Sequence, residues 1–295
     1  MKILELKNVK KSYFNFDLDI NFHLNKGETI GFVGQNGAGK TTTIDIILNT
    51  VKKDSGEVLV FGNDHIKKES QIKELMGIVL EEHNFYKDFK INYLLKFASE
   101  IYPNWDYEYS KYLRKKLNLV DNKKFKDLSK GMKVKLSLII ALSHNAELLL
   151  FDEPTSGLDP KVRNNILEEI EIIKKKNNPT ILFSSHNMLD VERLADRIIM
   201  LDKGKIIFNE TKKSLLNNWK KIEFQDKNIL NFIDKNNFLY TKSKKENYYS
   251  IVVSNYNQEI EKELKKYTIK NMSITKLSLE EIFLEYLNNK NENYK

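Results

Sequence analysis

One glycine-rich run, Gly34-Gln35-Asn36-Gly37-Ala38-Gly39-Lys40-Thr41, has the spacing G-x-x-x-x-G-K-[ST] and is suited to one kind of chemistry. Its glycines let backbone N–H groups curl around phosphate oxygens, and a helix N-terminus behind them adds partial positive charge. Lys40 can reach the terminal phosphates, Thr41 can ligate Mg²⁺, and Thr42 extends the same turn. Far along the chain, LLLFDE ends an apolar run on two carboxylates, Asp152 and Glu153. Two acids at a strand end serve either charge pairing or catalysis. Beside a phosphate-binding loop catalysis is favoured, with Asp152 in a metal's coordination shell and Glu153 aimed at an attacking water. These residues point to a nucleoside triphosphate bound with Mg²⁺.

The elements that must position them follow from periodicity. FDLDINFHL (16–24) alternates strictly, with Phe16, Leu18, Ile20, Phe22 and Leu24 on one face, so it reads as a half-buried strand beside ILELKNV. ETIGFVG runs apolar into the glycine loop, and Ile44, Ile47, Leu48 and Val51 mark the helix after it. DSGEVLVFG reads as a turn and a strand. From Ile91 the period becomes helical (Ile91, Leu94, Leu95, Ala98), PNWD interrupts it, and Tyr109, Tyr112, Leu113 and Leu117 resume it. ELLLF (147–151) is a continuous apolar run, as expected of a covered parallel strand. A helix with Val162, Ile166, Ile170 and Ile173 on one face follows, and then the strands TILFSS and IIMLDKGKIIF.

Alternating strands and helices predict an α/β layered domain over residues 1–210, with a helical insert at about 87–145. The segments KIEF, NILNFID, NFLYT, YYSIVVS, QEIEKELKKY, NMSITKL and LEEIFLEYL predict a second, α+β domain over 211–295. Its order is β-α-β-β-α-β plus a last helix, the ferredoxin-like split arrangement.

Bulk composition sets outer limits. A chain of 295 residues is long for a single core. Its 49 Lys and Arg against 41 Asp and Glu give a net charge of +8, but the charges are interspersed, as on a solvated surface. With no cysteine there is no disulfide, thiolate metal site or cysteine nucleophile. Nothing has the layout of a signal peptide, and no run approaches the roughly 20 apolar residues of a membrane helix. His65, His83 and His144 lack metal-ligand spacing.

Over residues 1 to about 210 the chain resembles the ATP-binding subunits of ABC transporters, and the motifs lie in that family's order. The resemblance implies a P-loop NTPase core with an antiparallel β subdomain and a helical subdomain, and a subunit that hydrolyses ATP. It makes Glu153 the residue that polarises water and His186, in Ser184-Ser185-His186, the switch histidine. It makes Tyr13 the aromatic that stacks on adenine and Thr155-Ser156-Gly157-Leu158-Asp159 the D-loop. It also implies pairing, each ATP lying between one subunit's phosphate loop and the other's signature, usually LSGGQ.

Here the signature reads Leu128-Ser129-Lys130-Gly131-Met132. Ser129 can cap the next helix and Gly131 can offer its N–H, so the anion-binding groups remain; Lys130 adds positive charge near a triphosphate, and Met132 removes a side-chain hydrogen bond. With Glu153 and His186 intact, the expectation is a working variant. A second departure places Glu81, or Glu82, where the family has the glutamine of its Q-loop; a carboxylate can still ligate Mg²⁺.

The short interval between Lys40 and Ser129 leaves no room for the coiled coils of chromosome and repair ATPases, and translation-factor relatives carry two ATPase halves where this chain has one. LSKGMKVKLSL, GLDP, YPNWD and SLEEIFLEYL are similar to the ATPases of bacterial ABC-2-type exporters, among them systems for antimicrobial-peptide resistance and phenol-soluble modulin export. The implied partners are a separate transmembrane permease, docked at the helical insert, and a second ATPase subunit, identical or not, at the cytoplasmic face of a bacterial membrane. No nucleic-acid partner is expected, although a soluble switch acting on nucleic acid or ribosomes is the alternative from another class; Tyr248 and Tyr249 lie on a predicted strand, but no stacking motif accompanies them.

Overall fold

A computed structural model describes residues 1–81, 85–225, 239–245, 248–265 and 272–292. Two compact units are present, Met1–Asn209 and Glu210–Lys295.

The first unit is built on one sheet. In chain order its elements are β1 (Lys2–Tyr13), β2 (Phe16–Asn25), β3 (Thr29–Val33), α1 (Lys40–Ile47), β4 (Ser55–Val60), β5 (Asn63–Asp64), α2 (Glu69–Glu74) and β6 (Met76–Val79). There follow α3 (Ile91–Ile101), α4 (Tyr107–Lys116), α5 (Lys130–Ser143), β7 (Leu148–Asp152), α6 (Pro160–Asn177), β8 (Thr180–Ser185), α7 (Met188–Leu194), β9 (Arg197–Asp202) and β10 (Lys205–Thr211). The strand order is β5-β4-β1-β2-β10-β9-β3-β8-β7-β6. The antiparallel strands and the parallel ones expected from the sequence therefore belong to a single ladder, joined where β10 runs parallel to β2 at Lys205 and Asp19.

Each half shows the burial its pattern requires. On β2, Leu18, Ile20, Phe22 and Leu24 are buried while Asp17, Asp19 and Asn21 face water. On β3, β7 and β8 every residue is buried, as in parallel strands covered on both faces. A fully buried Leu, Ile or Phe contributes about 1.5–3 kcal/mol, so these runs anchor the domain. In the helical insert Ile91, Leu94, Leu95, Ala98, Leu113 and Leu117 are buried, whereas Tyr112, assigned to the same face, is 44% exposed.

Two local expectations need correcting. Helix α1 stops at Ile47 and does not carry Val51 on its face, because Asn49 adopts a left-handed φ of 59° that ends the helix. Val51 still packs against the core from the turn that follows. The sequence of β6, MGIV, does not announce a strand: it is a four-residue edge strand with too short a pattern to declare itself, and it pairs in parallel with β7.

In the second unit, α8 (Lys212–Asn218) leads into β11 (Lys220–Phe224). A four-stranded antiparallel sheet then pairs in the order β12 (Leu239–Lys245), β13 (Tyr248–Val253), β11, β14 (Ser273–Lys276), with helices Gln258–Leu264 and Leu279–Glu292. Ile222, Phe224, Ile251, Val253, Ile260 and Leu264 form its core. The segment NILNFID, read as a helix, lies outside the described residues.

Candidate active site

The site forms where β3, β8 and β7 end side by side, at the C-terminal edge where ligands bind in open α/β sheets. Val33 is in register with Ser185, and Ser184 with Asp152. The loop leaving β3, the two acids ending β7 and the histidine after β8 are thereby brought to one edge.

Gly34–Thr41 turns from β3 into α1. Gly37 and Gly39 take φ of 79° and 108°, a region open to glycine, and a Cβ on Gly39 would stand 2.8 Å from Leu18 Cδ1 and 2.9 Å from Phe16 Cζ. Gln35, Asn36 and Gly37 are exposed, as are Thr41 and, in part, Thr42, while Gly34, Ala38, Gly39 and Lys40 are buried. The Ala38 carbonyl accepts from Gly204 N at 3.0 Å, so the turn between β9 and β10 braces the loop from behind.

Lys40, 6% exposed, folds over its own loop and donates to Gly34 O at 2.7 Å and Gln35 O at 3.2 Å; its Nζ is 3.7 Å from Glu153 Oε1. Glu153 holds a left-handed φ of 50°, an unfavourable conformation for a non-glycine residue and of a kind that collects at functional sites. Its Oε2 is 2.7 Å from His186 Nδ1, and Oε1, although buried, has no hydrogen-bond partner among the described residues. An acceptor left open beside an ammonium leaves room for a donor that the protein does not itself supply.

Asp152 is 2% exposed and accepts from Ser184 Oγ at 2.6 Å. Burial raises its pKa; the hydroxyls of Ser184 and Thr41, which favour the charged form, oppose that shift, and the charges of Glu153 and Glu81 add to it. A buried carboxylate with a hydroxyl beside it is the hard oxygen donor set that Mg²⁺ takes. No group of three or more His, Cys, Asp or Glu among the described residues gathers as a metal cage, and Mg²⁺ bound through one or two carboxylates plus substrate phosphates needs none.

Ser184 is the residue whose importance the motif alone did not disclose. Its Oγ donates to Asp152 and accepts from Glu153 N at 2.9 Å, so one hydroxyl positions both acids. Ser184→Ala leaves two buried polar groups unpaired. It is expected to cost about 2 kcal/mol of stability in denaturant titration and about tenfold in ATP turnover.

A second network fixes the next segment. Thr155 Oγ1 donates to Asp190 Oδ2 at 2.6 Å, and Arg163 donates to Asp190 Oδ1 through Nε at 2.9 Å and Nη2 at 2.6 Å. This ties the loop after Glu153 to α7 after His186, with Asp190 1% exposed. No sequence motif marked Asp190 or Arg163.

The remaining candidates are held by contacts of their own. Asp159 caps α6, accepting from Val162 N at 3.0 Å, with Pro160 at the first helical position. Ser129 caps α5, accepting from Met132 N at 3.3 Å; Gly131 lies beside Leu158 and Val162, and Lys130 Nζ is 3.5 Å from Glu81 Oε1. Tyr13 is 47% exposed at the end of β1, with Lys11 Nζ 5.4 Å from its ring centre, and it contacts Phe16, the residue that packs against Gly39. Glu82 and His83 lie outside the described residues. His65 and His144 are buried against backbone carbonyls, and burial holds the pKa of both below the ordinary value.

The raised Asp152 pKa makes a stability prediction. The folded chain holds that proton more tightly than the unfolded chain does, so stability is lost as the pH rises above the ordinary aspartate range. Asp152→Asn removes this dependence. Thermal melts of the nucleotide-free variant should therefore show a gain over wild type at pH 7 that shrinks toward pH 4, together with loss of Mg²⁺-dependent turnover.

A strand, phosphate loop and helix beside a strand-end pair of acids define a nucleoside-triphosphate hydrolase, and comparison with known proteins narrows the class. The family model described as ABC transporter matches residues 18–156, and a model described as an AAA domain matches residues 122–191. Linearmycin resistance ATP-binding protein LnrL of Bacillus subtilis is 37% identical over 220 residues, covering 72% of this chain and 70% of that protein. Bacitracin transport ATP-binding protein BcrA of Bacillus licheniformis is 33% identical over 222 residues, covering 70% and 68%. A solved ATP-binding subunit of an ABC transporter superposes with a TM-score of 0.67 at 26% identity, covering 73% of this chain and 92% of that one. The dimeric post-hydrolysis structure of the ATP-binding cassette MJ0796 with ADP and Pi, at a TM-score of 0.63 and 22% identity, attests the fold. The chain belongs to the ATP-binding proteins of ABC transporters, and it is an ATPase.

Proposed function

We propose that this ATPase works as one of a pair and drives a separate membrane subunit that exports toxic or antimicrobial peptides from a bacterial cell, as an ABC-2-type exporter. The observation that carries the hydrolytic half is the placement of Glu153, with one oxygen held by His186 and the other open toward Lys40. Glu153 polarises the attacking water, and Lys40 and His186 stabilise charge developing on the transferred phosphoryl group. Thr41 and Asp152 hold Mg²⁺, which when bound neutralises phosphate charge. Tyr13 stacks on adenine; Ser129, Lys130, Gly131 and Asp159 serve the nucleotide of the facing subunit. Glu81 is a further oxygen donor near the metal.

Support for a membrane partner comes from an apolar groove in the first unit. It has a volume of about 750 Å³ and is lined by Leu80, Phe89, Tyr93, Phe97, Ile140 and His144 among others. Tyr93 and Phe97 are 52% and 50% exposed, so the helical insert presents aromatic surface of the kind protein interfaces bury. Among the described residues no helix is long and apolar enough to cross a membrane. A peripheral position on the cytoplasmic face, beside a membrane subunit, accommodates both features. Relatives named for linearmycin resistance and bacitracin transport support export of antimicrobial compounds.

The test is isolation of the tagged protein from gently solubilised native membranes in ATP, with its companions identified by mass spectrometry. A polytopic membrane protein among them is the expected result, and a second ATPase would decide between unlike and identical pairs. Recovery of ribosomes or nucleic acid with nothing membrane-spanning would overturn the transporter reading.

A further inference from the structure

Lys130 is one of the two residues, with Met132, at which the signature departs from its family's pattern, and Glu81 stands in the stretch where the family has its Q-loop glutamine; the fold puts Lys130 and Glu81 in contact. Lys130 Nζ lies 3.5 Å from Glu81 Oε1. The same side chain crosses Gly157, its Nζ, Cδ and Cε standing 3.5–4.0 Å from where a Cβ there would be. Lys130 thus bridges the loop after β6 and the loop after β7 from the first turn of α5.

Glu81 also lies just past β6, whose Val79 is in register with Phe151 on β7, so the same carboxylate follows the strand end next to the one that delivers Asp152 to the metal and phosphate site. Both partners of the ion pair are 45% exposed, and a pair of that exposure is weak enough to exchange.

We propose that Glu81 is a shared counter-ion: with the phosphate loop empty it holds Lys130 across Gly157, and when the same loop is filled Glu81 turns to the occupied site and releases Lys130. A released ammonium at the signature then stands free where the proposed pairing brings a second triphosphate, so that filling one site readies the other. The release rests on the nucleotide site and only its consequence rests on pairing.

The test reads Lys130 directly. The full-length Glu153→Gln chain is dilute enough to stay monomeric by sedimentation, its nucleotide binding is measured in parallel, and it receives a brief pulse of an amine-acylating reagent with and without Mg²⁺-ATP. Peptide mass spectrometry then gives the extent of acylation at each lysine. Lys130 is expected to acylate about threefold faster with Mg²⁺-ATP, the factor an exposed ion pair is worth, while Lys124, paired 3.8 Å from Asp88, keeps its rate.

Adding Glu81→Gln should give the fast Lys130 rate without nucleotide and remove the response to it. An unchanged Lys130 rate in a chain that binds ATP, or a response that survives Glu81→Gln, would overturn the shared counter-ion and leave the ATPase assignment standing. A chain that binds no ATP would overturn the assigned nucleotide site, and the release with it.

Discussion

Glu153→Gln lowers ATP turnover by about three orders of magnitude while leaving ATP affinity within about threefold of wild type. The carboxylate sits at a left-handed φ of 50° with Oε2 on His186, and Gln keeps the volume and the hydrogen-bonding reach needed to stay there. The substitution removes the negative charge at Oε1, the atom that lies 3.7 Å from Lys40 Nζ without a hydrogen-bond partner. An amide oxygen is a far weaker base, so water activation fails, whereas the phosphate contacts, which come from the loop and Lys40, persist. Steady-state phosphate release together with calorimetric ATP titration separates the two effects. A variant that hydrolyses ATP within tenfold of wild type would remove Glu153 from the reaction.

Lys40→Ala has the opposite profile: ATP affinity falls by at least about a hundredfold, which corresponds to about 3 kcal/mol. The ammonium is satisfied by Gly34 O at 2.7 Å and Gln35 O at 3.2 Å, at only 6% exposure. It is therefore already dehydrated and held over the loop, and exchanging two carbonyl oxygens for phosphate oxygens costs little reorganisation. Truncation removes that charge and also leaves the buried Glu153 without its nearest cation, so the variant should melt earlier than wild type even without nucleotide. Titration with a fluorescent ATP analogue checks the affinity and a thermal melt checks the stability. Unaltered affinity would mean that the loop's N–H groups alone hold the triphosphate.

Each single element of the site could be read locally. The phosphate loop follows from eight consecutive residues between a strand and a helix, and the acids follow from an apolar run that ends on them. Residues contiguous in sequence share one backbone conformation, and periodicities of two and of 3.6 reveal it. The same locality explains what could be read only approximately. Helix α1 loses its last turn to one asparagine, and the four residues of β6 are too few to show a period.

The sequence by itself determined the class of chemistry, the residues able to perform it, and the alternation of strands and helices that carries them. Tertiary structure decided which of those residues meet. The order β3-β8-β7, in the register Val33 to Ser185 and Ser184 to Asp152, is a choice among pairings between segments far apart in the chain, and no local pattern encodes strand order. That choice alone places Ser184 beneath both acids and His186 against Glu153. Packing of the helices and loops on that sheet closes Thr155, Arg163 and Asp190 into one network and sets Lys130 beside Glu81. Hydrogen bonds and ion pairs need atoms within a few ångströms, and for residues far apart in the chain only packing of the whole domain brings them that close.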